Sequence, residues 1–438
     1  MKARLLPIYF QSERDAEFDA QLEILRKLFA EEVEFLEPTA LGASIPEADA
    51  VVFPQLVGEA YRGIEKLKAM DIPLVVITSE FGTVAMWDWE IVTFLKSHGL
   101  KVFAPYTLEL TKVICRALAL KREMKQARFL AFQDNPGNGF QGYIFKRFYW
   151  WEDACIQRFK EKFGISIEKR SFKKLAGDAM LVSDAAADAA LERWKLSSDG
   201  VCPKALRSAA KLYLAVDREI GGDAAVKGVG INCPNESMFT DTTPCLAWNM
   251  LFEEKGLLWA CEADMMSLLT EYVVNKSLNA PVMMSNVYPF LIGMAALKHE
   301  KITEFPQVAE PENHILVAHC GYFGFVPRCF AQDWTLRPRV LEIVDENAMA
   351  VDARLPAGKI TLTKLHPSLN KIQVIEGELE EYVQYPGSDC RNGALIKIKD
   401  GRRLVNDLYS HHSCFSTGHI GAELEMAARV LGLEAEML

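Results

Sequence analysis

The sequence predicts an α/β protein that closes with an antiparallel β module. Two observations carry this. Up to about residue 338, short apolar runs alternate with amphipathic segments of helical spacing. That is the pattern of a parallel sheet with helices on both faces. Beyond that point the runs alternate apolar and polar residues, separated by PAG, HPSLN and KDGR. This is the texture of antiparallel strands with one covered face.

The elements follow in order. Residues 4–10 make the first strand and 16–31 the first helix, with apolar residues at helical spacing. Strands follow at 50–54, 73–79 and 101–105, interleaved with helices near 60–70, at 89–99 and through residue 125. Gly99 closes the middle one. ARFLAFQD at 127–134 runs into the loop NPGNG. A second alternating region opens with a helix at 146–164. Strand candidates lie at 178–183, 227–233, 257–262, 281–286 and 314–320, and helices at 203–220, 243–255, 265–278 and 288–299. VLEIVDE, MAVDARL, KITLTKL, KIQVIEGELEEY and ALIKIKDGRRLVNDLY make the β module, and 418–432 a last helix.

Composition narrows the function. A chain of 438 residues holds two or three domains. The net charge is -10 and no Lys/Arg stripe stands out, which excludes a nucleic-acid partner. No apolar stretch is long enough to span a bilayer, so no membrane partner is expected. The start, MKARLLPIYFQSERDAEFD, carries charges too early for a signal peptide. Ten cysteines are scattered without a CxxC pair. The expectation is a cytoplasmic protein with reduced thiols.

Few residues are placed for chemistry. His98, His299, His314 and His366 sit singly at helix ends and turns and read as capping or solvated groups. His319 lies where the apolar ILVA meets a glycine, and His411 and His412 precede SCFSTG. Polar residues at such strand ends are where α/β proteins place their sites. Glu262 ends the apolar strand in LLWACEADMM, and Asp264, two residues on, reads as a helix N-cap. Ser285 and Asn286 end PVMMSN, where a plain turn is the simplest reading. A thiol enzyme using Cys233, Cys320 or Cys414 would need a cation beside the sulfur.

Taken together, these segments resemble the L-fucose isomerase/L-arabinose isomerase superfamily. CEADMMSLLT at 261–270 is similar to its glutamate motif, and APVMMSN to the strand that follows. The separation, 286 − 262 = 24 positions, suits the family, although Asn286 stands where the family has aspartate. HHSCFSTG at 411–418 resembles its late histidine motif, and GVGINCPNE at 228–236 and ILVAHCG at 314–321 resemble two further strand ends. TSEFGTVAMWDWE at 78–90 resembles a segment whose aromatic reaches a neighbouring subunit's site.

The resemblance implies two doubly wound α/β domains, residues 1–140 and 141–337, followed by a β-barrel-like domain at 338–438. It implies a homo-oligomer, commonly a trimer or hexamer. It implies an aldose–ketose isomerase acting on a small carbohydrate, with Glu262, Asn286 and His412 holding a divalent metal, Mn²⁺ being suited to such ligands. Glu262 and Asn286 take the positions of the catalytic pair. His411, His319, Trp87, Trp89 and Arg391 are the candidate substrate contacts. Arg328, Arg337, Arg339 and Arg391 are candidates for an anionic group on the sugar.

Asn286 leaves three outcomes open, because an amide offers a carbonyl oxygen but takes no proton as a base. Glu262 acts alone, with Asn286 as neutral ligand or hydrogen-bond donor. Asp264, or another acid such as Glu236, substitutes. Or the chain binds a sugar, or runs a related reaction, without isomerising it.

Overall fold

A computed structural model describes residues 1–10, 14–56, 58–135, 147, 149, 151–297, 304–319, 325–331, 333–338, 348–385 and 392–438. The chain is a mixed α/β protein with parallel-strand sheets and a closed six-stranded antiparallel barrel. Its contacts divide it into two compact units. One comprises Met1–Met124, Lys276–Leu278 and Ala422–Gly432, and the other holds the remainder.

The first unit is built on a parallel sheet. Ala3–Tyr9 pairs with Val33–Phe35 on one side and Ala50–Phe53 on the other, and Leu74–Val76 and Val102–Phe103 continue the sheet. Alternate strand residues feed two separate cores. Leu5, Val52 and Val75 meet the helices Ala16–Leu28 and Leu108–Glu123, while Leu6, Val51 and Val76 meet Trp89–Ser97. Asp15 and Thr107 cap the first two of these helices by accepting backbone N–H groups.

The second unit holds a four-stranded parallel sheet in the order Leu258–Cys261, Val226–Ile231, Arg128–Phe132, Ser166–Arg170. Arg128–Phe132 thus pairs with strands beyond residue 141. The expected strand at 178–183 is instead the end of a helix, Phe172–Met180, capped by Ser171. A short apolar run does not by itself separate the two structures.

The barrel runs Gly358–Leu365, His412–Thr417, Met283–Pro289, His314–Ala318, Asn392–Ile398, Lys371–Gln384 and back to the first. Residues from its different walls, among them Val287, Val317, Leu362, Ile375, Ile396 and Phe415, meet in one core. Two of its strands, Met283–Pro289 and His314–Ala318, precede residue 338. Both are buried along their whole length, so they lack the alternation that marks an antiparallel strand and resemble parallel ones. MAVDARL does not join the barrel. Met349–Asp352 pairs with Thr335–Pro338 in a small separate sheet. GRRLVND, expected as strand, is the helix Gly401–Asp407. His412 opens the strand His412–Thr417.

No helix among the described residues is long and apolar enough to cross a membrane.

Candidate active site

The site begins at the carboxyl end of Leu258–Cys261. Glu262 and Ala263 both adopt left-handed backbone, with φ of 56° and 52°, a conformation that costs a residue other than glycine about 1–3 kcal/mol. Neighbours hold the turn. The Trp151 indole N–H donates to the Ala263 carbonyl, and the Met265 N–H donates to the Tyr149 carbonyl at 3.1 Å. Gly230 lies beneath it, where a Cβ would come within 3.1 Å of the Ala263 Cα. The turn lifts Glu262 off the sheet edge. Its Oε2 accepts from the Tyr149 hydroxyl at 3.0 Å, and its Oε1 lies 3.5 Å from His412 Nε2.

Asp264 starts the helix Met265–Leu278. Its Oδ1 accepts the N–H groups of Met266 and Ser267 at 2.9 and 3.0 Å, as an N-cap does. Its Oδ2 gathers the Lys364 ammonium at 2.8 Å, the Ser267 hydroxyl at 2.8 Å and His412 Nδ1 at 2.9 Å. A carboxylate on Nδ1 fixes the imidazole and turns Nε2 toward Glu262. Tyr149 stacks on the His412 ring at 5.2 Å.

The charges support one another. Burial works against the imidazolium, yet Glu262 and Asp264 outweigh it and raise His412 to about 9. Burial likewise opposes ionisation of Glu262, and His412 outweighs it, holding the carboxyl at about 2. Lys364 and His412 do the same for Asp264, held well below the usual carboxylate range against its burial.

Asn286 arrives from the barrel. It pairs with His412 on one side and Ala318, the neighbour of His319, on the other. The Val287 N–H donates to the His411 carbonyl at 2.8 Å. Asn286 and His412 are therefore a close, non-hydrogen-bonded pair, with Cα atoms about 4.5 Å apart in such pairs and side chains on one face. The Asn286 amide donates to the Tyr288 hydroxyl at 3.0 Å, and its Oδ1 is buried without a partner, while His412 Nε2 is buried facing Glu262 Oε1 at 3.5 Å. Buried polar atoms in a folded protein are normally satisfied. Among the described residues no group of three His, Cys, Asp or Glu stands at metal-holding separation. Around His412 stand the Glu262 carboxylate, 3.5 Å from Nε2, and, across the strand pair, the Asn286 amide.

The other expected residues divide. His319 is buried, its ring edge-on to His412 at 5.9 Å. His411 is exposed, 4.1 Å from His412 between ring centroids, and lines a cavity of about 200 Å³ with Tyr149, Met266, Lys364 and Leu365. Trp87 and Trp89 belong to the first unit, 82% and 56% exposed. Arg391, Arg339 and Cys320 lie outside the described residues. Arg337 pairs with Asp352 and Asp199, and Arg328 stacks over Trp194 and Trp334. The Cys414 thiol is pushed well up, first by burial and then by Glu271, the opposite of what a nucleophilic cysteine needs. Cys233 has its sulfur 3.1 Å from that of Cys261.

Sequence reasoning missed Tyr149 and Lys364. Tyr149 sits in an aromatic run with no signal to separate it from core. For Lys364 there was one: it shares a strand parity with the buried Ile360 and Leu362, and a lysine on the apolar side of a strand needs a buried partner. Neither a protein-family model nor a curated protein matches the chain.

Proposed function

We propose that the chain is an aldose–ketose isomerase of the L-fucose isomerase/L-arabinose isomerase type, with two doubly wound domains ahead of its barrel, acting in the cytoplasm as a homo-oligomer. The observation that supports this is the grouping of Glu262 and Asn286 about His412, with His412 Nε2 buried 3.5 Å from Glu262 and Asn286 Oδ1 buried without a partner.

A divalent cation of the Mn²⁺ kind would be held by one Glu262 oxygen, Asn286 Oδ1 and His412 Nε2, the imidazolium giving up its Nε2 proton as the ion binds. Such an ion, when bound, polarises the sugar carbonyl. The chain's own residues do the rest. Glu262, ionised and steadied on Oε2 by Tyr149, takes the proton from the carbon next to the carbonyl and returns it to the neighbouring carbon through a cis-enediol. Asp264 and Lys364 keep His412 in one orientation. The Tyr149 ring covers one face of the His412 imidazole.

The test is elemental analysis of the purified protein beside Glu262→Gln, followed by conversion assays on aldoses. Stoichiometric Mn or a related metal in the wild type, lost in the variant together with turnover, is the expected result. Turnover that survives Glu262→Gln overturns the reading.

One observation favours a second reading, sugar binding without turnover: the residue directly opposite His412 in its cross-strand pair is the neutral Asn286. A sugar held tightly with no product formed would select it.

A further inference from the structure

Two thiols next to the site take no part in the proposed chemistry. Cys233 and Cys261 are both reduced, and both are buried in the core that holds Val229, Ile231 and Trp259. Cys261 ends one strand of the four-stranded parallel sheet. Cys233 stands two residues past Ile231, the Cα partner of Cys261 on the neighbouring strand, and opens the short helix Cys233–Glu236. Their sulfurs are 3.1 Å apart. A disulfide bond is about 2.0 Å long, and parallel strands about 4.8 Å apart fall within the ~4.4–6.8 Å that its Cα atoms span. About 1 Å is left to close, within reach of a small shift at the two strand ends.

A buried thiol is ordinarily inert. This pair borders a segment whose polar groups are poorly satisfied. Glu236 Oε1 ties the segment to the N–H groups of Asp134 and Asn135. Against that, both ends of the Asn232 amide, Glu236 Oε2 and the Ser237 hydroxyl are buried without a partner. Gln133, which follows the neighbouring strand Arg128–Phe132, is in the same state. Opening Asn232–Ser237 to water satisfies these groups, so the segment is held less firmly than the strand before it. Cys233 lies inside the segment and is 5% exposed, against 1% for Cys261. It is the thiol that a small oxidant meets first.

Glu262 follows Cys261 directly, in the left-handed turn it shares with Ala263. The turn has no slack behind it, since a Cβ at Gly230 would come within 3.1 Å of the Ala263 Cα and 3.2 Å of the Ala260 carbonyl. A pull on Cys261 therefore reaches Glu262. We propose that Cys233 and Cys261 form a peroxide-sensitive pair whose disulfide shifts the Glu262 turn. The Cys233 thiolate attacks one oxygen of hydrogen peroxide, the O–O bond breaks, and a sulfenic acid forms as hydroxide leaves and takes up the thiol proton. The Cys261 sulfur then attacks the Cys233 sulfur. The S–S bond forms, the S–O bond breaks, and the oxygen departs as water with the Cys261 proton. Two thiols lose two electrons in all, and one peroxide becomes two waters. A dithiol reductant reverses the step by exchange. The bond forms or fails to form whatever the chain does to sugars.

The experiment treats the reduced full chain with hydrogen peroxide, blocks the remaining thiols with N-ethylmaleimide in denaturant, and reads the peptides by mass spectrometry. Cys233→Ser is carried beside the wild type. The wild type should yield a linked peptide joining Cys233 to Cys261, two hydrogens lighter than its parts and released by dithiothreitol. Backbone amides of residues 261–267 should lose hydrogen-exchange protection in the oxidised wild type and keep it in peroxide-treated Cys233→Ser. Oxidation confined to the exposed Cys202 and Cys329, with Cys233 and Cys261 both recovered as blocked thiols, overturns the assignment. So does a linked peptide whose formation leaves exchange of residues 261–267 unchanged, because the bond then does not reach Glu262.

Discussion

Asn286 and His412 face each other across neighbouring antiparallel strands, and the Val287 N–H to His411 carbonyl bond makes theirs the close kind of pair. This relationship puts the two side chains on one face of the barrel wall, where Asn286 Oδ1 is buried without a partner and His412 Nε2 lies 3.5 Å from Glu262. It is also the position where one substitution tests the electrostatics most directly.

Asn286→Asp adds a negative charge next to His412 Nε2. A unit charge about 4 Å from another at an effective dielectric of about 20 is worth about 4 kcal/mol per unit charge. Mn²⁺ affinity, measured by calorimetry, should therefore rise at least about tenfold, which takes only ~1.4 kcal/mol. Unchanged or weaker affinity would mean that residue 286 does not face the ion.

Asp264→Asn keeps the helix cap but leaves the Lys364 ammonium, with a side chain only 5% exposed, without its carboxylate. Breaking one partner from a buried pair costs about 3–5 kcal/mol. Urea unfolding should show a loss of that order, and adding Lys364→Met should recover more than half of it. A single variant within about 1 kcal/mol of wild type would contradict the buried pairing.

Glu271 is buried, and desolvation pushes its carboxyl well above the ordinary value. The folded chain therefore keeps a proton that the unfolded chain releases above about pH 4.3. Its influence on stability is most favourable below that pH and declines as pH rises toward the folded value, by about 1.4 kcal/mol per unit. Glu271→Gln removes the titration. Its stability relative to wild type should climb between pH 4 and pH 7, read from urea midpoints at each pH. A difference that does not change with pH would show that Glu271 ionises normally.

Trp87 is 82% exposed, and Phe81, Tyr106 and Trp89 are 70%, 64% and 56% exposed. The Val84 N–H to Pro105 carbonyl bond brings their two loops side by side. A monomer rarely shows water so many aromatics at one edge. Sedimentation of Trp87→Ser should reveal a smaller species than the wild type, with the unfolding of the chain itself changed by no more than about 0.5 kcal/mol. Identical sedimentation would remove these residues from any subunit contact.

Local sequence was enough wherever a residue's role depends on its immediate neighbours. Glu262 at a strand end and Asp264 as a helix cap are both readable within CEADMM, because a strand end and an N-cap are fixed by a few residues of chain. The parallel and antiparallel character of the two halves was legible for the same reason, since periodicity reports how many faces of a strand are covered. What the tertiary structure decided was pairing. Met283–Pro289 and His314–Ala318 are buried on both faces and carry no alternation, so their place in the barrel follows only from the strands beside them. Asn286 and His412 are 412 − 286 = 126 positions apart, and Asp264 and Lys364 are 364 − 264 = 100. Contacts that distant are set by the register of strands and by burial shared between remote segments, and no local pattern encodes either one.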